Sequence, residues 1–241
     1  MKLVISIVML SSAFLVAKPY AGGQFGWAHI NSNPKIKGQD VIDGTLQQYS
    51  YTPGTFSYSS FSFGVLGGHT FKVNNLLASF IEVDTNIHGK AKDCQNVDVD
   101  VRGNNLTKEN LKVQMRYSLG FMPGVDIKLT ENITALLGVR LSASNYSVTA
   151  SHTTVETGRI NPKNYMSKKV FVFAVEPTIG TSYKITDNTS IRFTAGYILS
   201  FNKKVIANYM NSDVAKAHGL TAGVSIRPRG FNLRAAVIFG F

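Results

Sequence analysis

A hydrolytic site needs a nucleophile, a base and an orienting group within reach of one another, and this chain offers few places to look for one. Its five histidines, His29, His69, His88, His152 and His218, are scattered, and none stands in a catalytic motif. The stretch "HINSN" at 29–33 holds a histidine and a serine, the residue types of nucleophilic catalysis, at a spacing too common to specify it. "DVDVR" at 98–102 carries two aspartates at alternate positions, which one face of a strand presents as readily as a calcium loop does. Cys94 is the single cysteine, so no intrachain disulfide forms and no thiolate metal site assembles. Dinucleotide, phosphate-loop and zinc signatures are absent. These residues give no catalytic group, no metal ligand and no cofactor, and the expectation is a protein that is not an enzyme.

A second set of polar residues is more informative, because its spacing is regular. From Leu111 to Leu129 the odd positions are apolar (Leu111, Val113, Met115, Tyr117, Leu119, Phe121), while the even ones include Lys112, Gln114, Arg116, Ser118 and Asp126. Period-two alternation of this kind marks a half-buried strand. The same pattern puts Arg140 opposite Val139 and Leu141, Glu176 opposite Val175, Arg192 opposite Ile191 and Phe193, and Arg234 opposite Leu233 and Ala235. Sliding any of these strands by one residue would swap its whole charged and apolar sets. Arg116, Arg140, Glu176, Arg192 and Arg234 are therefore expected to share one interior, where Glu82 or Asp84 would complete a buried ion and hydrogen-bond network.

The elements that carry these residues are long. Apart from the start of the chain, no segment is a candidate spanning helix, and several alternating runs reach roughly 15 residues where ordinary strands have about 5–6. "KVNN" (72–75), "TEN" (130–132) and "TDNT" (186–189) are tight Asn-containing turns. Between them lie long polar stretches at about 32–56, 89–110 and 151–168, with a polar bend near 211–216. Short turns at one end and long loops at the other form the layout of a bacterial outer-membrane barrel. The expected fold is all-β, an antiparallel up-and-down transmembrane β-barrel of eight strands that extend beyond the membrane. Ten strands, one of them within 32–56 or 203–211, is the alternative. To keep eight, 190–211 rises and 217–241 returns, with the inward and outward faces exchanging at a bulge around Pro228-Arg229-Gly230.

The two ends of the chain agree with export. Lys2 precedes "LVISIVMLSSAFLVA", about fifteen apolar residues and too few for a membrane span of about 20. This reads as a secretory signal within 1–21, cut after Ala17 or Ala21, with the barrel filling 22–241. The chain stops on "LRAAVIFGF", with Phe231, Leu233, Ala235, Val237, Phe239 and Phe241 on one face. A soluble edge strand this apolar invites aggregation. In lipid, a last strand paired with the first has no open edge.

On these residues, the chain resembles the small outer-membrane β-barrels of Gram-negative bacteria, the opacity-protein type and the transmembrane barrel of outer membrane protein A. The resemblance covers roughly 22–241. It rests on the architecture, on "NTSIRFTAGYILSF" as a penultimate strand, and on "AAVIFGF". It implies that Val237, Phe239 and Phe241 form the C-terminal signal read by the barrel-assembly machinery. It also implies a place in the bacterial outer membrane and a structural and adhesive role through the long loops. A small porin-like channel is the alternative, and a rim-site lipid-modifying enzyme the third reading.

The formal net charge of +11 fits that setting. Lys203, Lys204, Arg227 and Arg229, with Lys168 and Lys169, fall at the expected outer rim, where they would pair with lipopolysaccharide phosphates. The basic residues are too dispersed for nucleic acid to be the partner. "TLQQYSYTPGTFSYSS" (45–60), rich in Tyr, Ser and Thr, suits recognition of a host or envelope ligand, or an aromatic girdle.

Overall fold

A computed structural model describes residues 17–33, 35–42, 45–51, 56–89, 95–100, 106–156, 159–208 and 221–241. Segment 1–16, the loop thiol at 94, His218 and the bend at 211–216 lie outside these residues, as do part of the 45–60 stretch and the end of "DVDVR".

Among the described residues thirteen strands run β1 (Ala17–Ser32), β2 (Lys35–Ile42), β3 (Thr45–Tyr51), β4 (Phe56–Lys72), β5 (Leu77–His88), β6 (Gln95–Asp100), β7 (Leu106–Lys128), β8 (Ile133–Glu156), β9 (Arg159–Lys184), β10 (Thr189–Ser200), β11 (Lys203–Asn208), β12 (Thr221–Ile226) and β13 (Arg229–Gly240). Eight of them close on themselves: β5, β4, β1, β13, β10, β9, β8 and β7 pair in that order, and β7 returns to β5. Every pairing is antiparallel. The ladder therefore leaves no free edge around the belt, which is the condition for a sheet to stand in lipid. β2, β3, β11 and β12 form a separate four-stranded sheet in the order β11-β12-β2-β3. The additional strands expected within 32–56 or 203–211 thus exist, but outside the closed ring.

The turn end is built from local hydrogen bonds. Asn74 Oδ1 accepts from the amides of Leu76 and Leu77, both at 2.8 Å. Thr130 Oγ1 accepts from Asn132 and Ile133, and Thr186 Oγ1 from Asn188. At the last of these turns, Lys184 Nζ sits 2.6 Å from Asp187 and holds that exposed carboxyl below the usual aspartate range. Both ends of the closing strands meet here: the Phe241 amide donates to the Pro19 carbonyl at 3.0 Å, and the Gly240 amide to Asn188.

Outside the ring is a continuous apolar belt. Phe61, Phe63 and Val65 on β4, Val83 and Ile87 on β5, Leu119 and Phe121 on β7, Leu137, Val139 and Leu141 on β8, Phe173 and Ile179 on β9, Phe193 on β10, and Leu233 and Phe239 on β13 are all exposed. A soluble monomer does not present apolar surface on this scale; hydrocarbon is its solvent. Among the described residues no helix is long and apolar enough to cross a membrane.

Two features of the parity differ from the sequence reading. The register of β7 against β8 shifts between Met115 and Tyr117, so that Arg116 is the extra residue of a bulge and is exposed. Apolar odd residues continue across it because they serve two different solvents. Val113 and Met115 are buried above the bulge, and Tyr117, Leu119 and Phe121 face outward below it. The second difference is at 228–230, where no exchange of faces occurs. Val224, Ile226, Asn232, Arg234, Ala236 and Ile238 are all buried, and the even positions face inward throughout.

Candidate functional site

The interior is stratified. At its middle, Arg140 grips Asp84 with both ends of its guanidinium fork, Nε to Oδ2 and Nη2 to Oδ1, each 2.7 Å. Its third nitrogen reaches Glu176 at 3.2 Å. Arg234 Nη2 donates to the other Glu176 oxygen at 2.7 Å, where Asn232 also donates at 3.3 Å. Asn86 donates to Asp84 and accepts from Gln24. Toward the turn end, Arg192 Nη1 lies 2.5 Å from Glu82, and the Tyr20 hydroxyl donates to the same carboxylate oxygen at 2.9 Å. Three guanidinium groups thus face three carboxylates. A buried charge is tolerable only with such pairing.

The backbone makes room for this layer. A Cβ at Gly120 would stand 2.2 Å from Arg140 Nε and 2.3 Å from Asp84 Oδ2, and one at Gly196 would stand 2.4 Å from Glu176 Oε1. Glycine at these positions lets the network sit close to the wall.

Apolar layers cap the network on both sides. Tyr20, Leu66, Ala236 and Ile238 cluster at the turn end, as do Phe80, Met122 and Leu136. Toward the loops, Ile30, Tyr58, Val113, Tyr146, Val148 and Ile226 belong to a larger buried cluster. Between the network and that roof lie His88, Ser118, Ser142 and Ser144, around a space of about 10 Å³, room for about one water.

Of the residues expected in the interior network, Arg140, Glu176 and Arg234 are buried and joined to one another and to Asp84, and Arg192 is buried in a separate pair with Glu82. Arg116 is not, because the bulge turns it outward. Tyr20, Gln24, Asn86 and Asn232 belong to the network but were not anticipated. Even parity on their strands was a usable signal for all four. Both acids offered as alternatives, Glu82 and Asp84, take part, each with a different arginine.

At the loop end, Lys203, Lys204, Arg227 and Arg229 are exposed, as are Lys168 and Lys169. Arg227 and Arg229 line a groove of about 580 Å³ with Lys35, Asn31, Asn202 and Tyr197. Val237 and Phe239 face outward on β13, and Phe241, one residue past its end, is exposed. His29 also points outward, one ring nitrogen 2.9 Å from Ser59 Oγ and the other 3.1 Å from Ser57 Oγ. Among the described residues no carboxylate completes a triad there. No group of three or more His, Cys, Asp or Glu among them is placed to hold a metal ion.

No family model matches the chain, and no curated protein matches it. Among solved structures it is similar to Neisserial surface protein A, at 16% identity over 93% of this chain and 99% of that one, with a TM-score of 0.40. It is also similar to Ail, the attachment invasion locus protein of Yersinia pestis, at 10% identity over 89% and 99%, with a TM-score of 0.32. A third is the outer membrane protease OmpT from Escherichia coli, at 13% identity over 93% and 97%, with a TM-score of 0.34. Values this low transfer no residue roles. The class rests on the chain's own geometry: a closed eight-stranded antiparallel ladder, an apolar outer belt and a filled interior. The fold is that of the small outer-membrane barrels.

Proposed function

We propose that this chain is a non-enzymatic surface barrel of a Gram-negative outer membrane, acting through the segments that extend past its belt. The observation that carries the reading is the filled interior beneath strands that overshoot the membrane. β7, β8 and β9 have 23, 24 and 26 residues, against the roughly 9–11 a transmembrane strand needs. A barrel of eight strands has little room for more than side chains. Chemistry directed at other molecules is then left to the outside, where the separate sheet of β2, β3, β11 and β12 stands at the loop end.

In this reading the exposed Lys203, Lys204, Arg227 and Arg229 pair with lipopolysaccharide phosphates and anchor the outer leaflet. The groove beside Arg227 and Arg229 supports it, since it joins cations to amide and phenol donors. Val237, Phe239 and Phe241 present the terminal signal to the assembly machinery. His29 with its two serines is a surface hydrogen-bond cluster in the girdle, where Trp27 lies 5.9 Å from its ring.

The test displays the full chain on a non-adherent Gram-negative strain, beside a variant with 33–55 replaced by a short Gly-Ser turn. Cultured epithelial cells should retain bacteria carrying the full chain and lose most of those carrying the trimmed one. A heat-modifiable band must show both barrels folded. Equal retention of the two would refute a role for these loops in adhesion.

A further inference from the structure

The chain's export signal has two candidate cut points, after Ala17 and after Ala21, and four residues separate them. Lys18, Pro19 and Tyr20 lie in that interval and are integral to the barrel. β1 pairs with β4 from Ala17 opposite Phe71 onward, and with β13 from Tyr20 opposite Gly240. The Pro19 carbonyl accepts the amide of Phe241. Tyr20 is 7% exposed, with its ring in the floor cluster beside Leu66, Ala236 and Ile238. Its hydroxyl donates to Glu82, and the Arg192 guanidinium carbon lies 5.4 Å from its ring centroid. The wall is shaped around this side chain: a Cβ at Gly68 would come within 2.6 Å of the Tyr20 hydroxyl oxygen.

A chain beginning at Gly22 lacks all of this. Glu82 keeps Arg192 but loses its hydroxyl donor, a hollow opens against Gly68, and the last amide of the chain loses its acceptor. A buried polar group deprived of a partner and a core deprived of an aromatic ring are both destabilising. A chain beginning at Lys18 gives up only Ala17 from the end of the ladder. We infer that the signal is removed by cleavage of the Ala17–Lys18 bond, so that the mature protein keeps Tyr20 as the seal of its turn end. The step is a hydrolysis by the exporting cell's leader peptidase. The amide breaks, the hydroxyl of water goes to the Ala17 carbonyl carbon, and a proton goes to the Lys18 nitrogen, which becomes the new terminal amine. The apolar run "LVISIVMLSSAFLVA" ends at Ala17, which places the cut at its boundary with Lys18.

This inference rests on the exported-barrel reading, and one experiment separates the two. The full chain is expressed with its own N-terminus in a Gram-negative host, the membranes are fractionated, and the intact mass and N-terminal sequence are read. Residues 18–241 in the outer-membrane fraction is the expected result. Gly22, or any other new terminus in that fraction, overturns the cut site and leaves the export reading standing. An uncut chain of 241 residues in the cytoplasmic fraction overturns both. A second measurement does not depend on processing. Chains starting at Lys18 and at Gly22, refolded in detergent, are heated and run on gels. The temperature at which the folded band disappears should shift downward for the Gly22 chain, and Tyr20→Phe should fall between the two. Equal temperatures for all three would show that Tyr20 seals nothing.

Discussion

Among the interior groups, Glu176 has the most to lose. It is fully buried and accepts from Arg140, Arg234 and Asn232. Glu176→Gln keeps the shape and removes the charge, leaving three guanidinium groups to two carboxylates inside the wall. Breaking a buried pair in this way costs about 3–5 kcal/mol, because the surviving charge is left uncompensated. The exposed pair of Lys184 and Asp187 at the turn is the proper control. Its separation is just as short, at 2.6 Å, but water solvates both partners and the pair contributes little. Urea unfolding in detergent micelles, followed by the fluorescence of the single tryptophan, Trp27, should show a large drop in midpoint for Glu176→Gln. It should show almost none for Asp187→Ala. Comparable midpoints for the two would mean that water reaches Glu176 and the interior is not dry.

At the scale of the strand, the bulge in β7 makes a sharper prediction than any single side chain. Arg116 is the unpaired extra residue, since Met115 faces Tyr146 and the next partner pair is Tyr117 with Asn145. Deleting Arg116 joins an inward Met115 to an outward Tyr117, which is the regular alternation of a strand. The deletion should therefore refold with its heat-modifiable band intact. Deleting Gly138 from the middle of β8, where the ladder is regular, throws one half of that strand onto the wrong face and should abolish the band. A deletion of Arg116 that fails to refold would mean the bulge is misplaced. The same element shows what the sequence could and could not reveal. Period two was legible wherever one face met lipid and the other met charge, so Arg140, Glu176, Arg192 and Arg234 fell on the interior side. It was not legible where the interior itself is apolar. The odd residues from Val113 to Phe121 run on without a break because the roof of the interior and the hydrocarbon outside select the same residue types. For the same reason Val224 and Ile226 suggested a lipid-facing strand with an exchange of faces at Pro228-Arg229-Gly230. Which acid meets which arginine depends on register between strands 36 to 110 residues apart, and alternation within one strand carries no such information.

At the scale of the whole barrel, the question is what an ion would meet on its way through. The floor, the ionic layer and the roof stand in series, so a conducting path needs all three to open at once. A dry apolar constriction excludes ions by dewetting even where its neighbours are charged. The wild-type chain should be silent in a planar bilayer. Removing charge from the middle alone, with Arg140→Ala and Glu176→Ala together, should leave it silent, because Phe80, Met122 and Leu136 still close one side and Tyr58, Tyr146 and Ile226 the other. Steps should appear only when the charge-layer pair is combined with Phe80→Ala and Met122→Ala in the floor and Tyr58→Ala and Tyr146→Ala in the roof. A variant cut so deeply needs its folded state checked by heat-modifiability before it is inserted. If the charge-layer pair alone gave reproducible steps, the apolar layers would not be barriers, and the charged groups of the interior would line a pore rather than a plug.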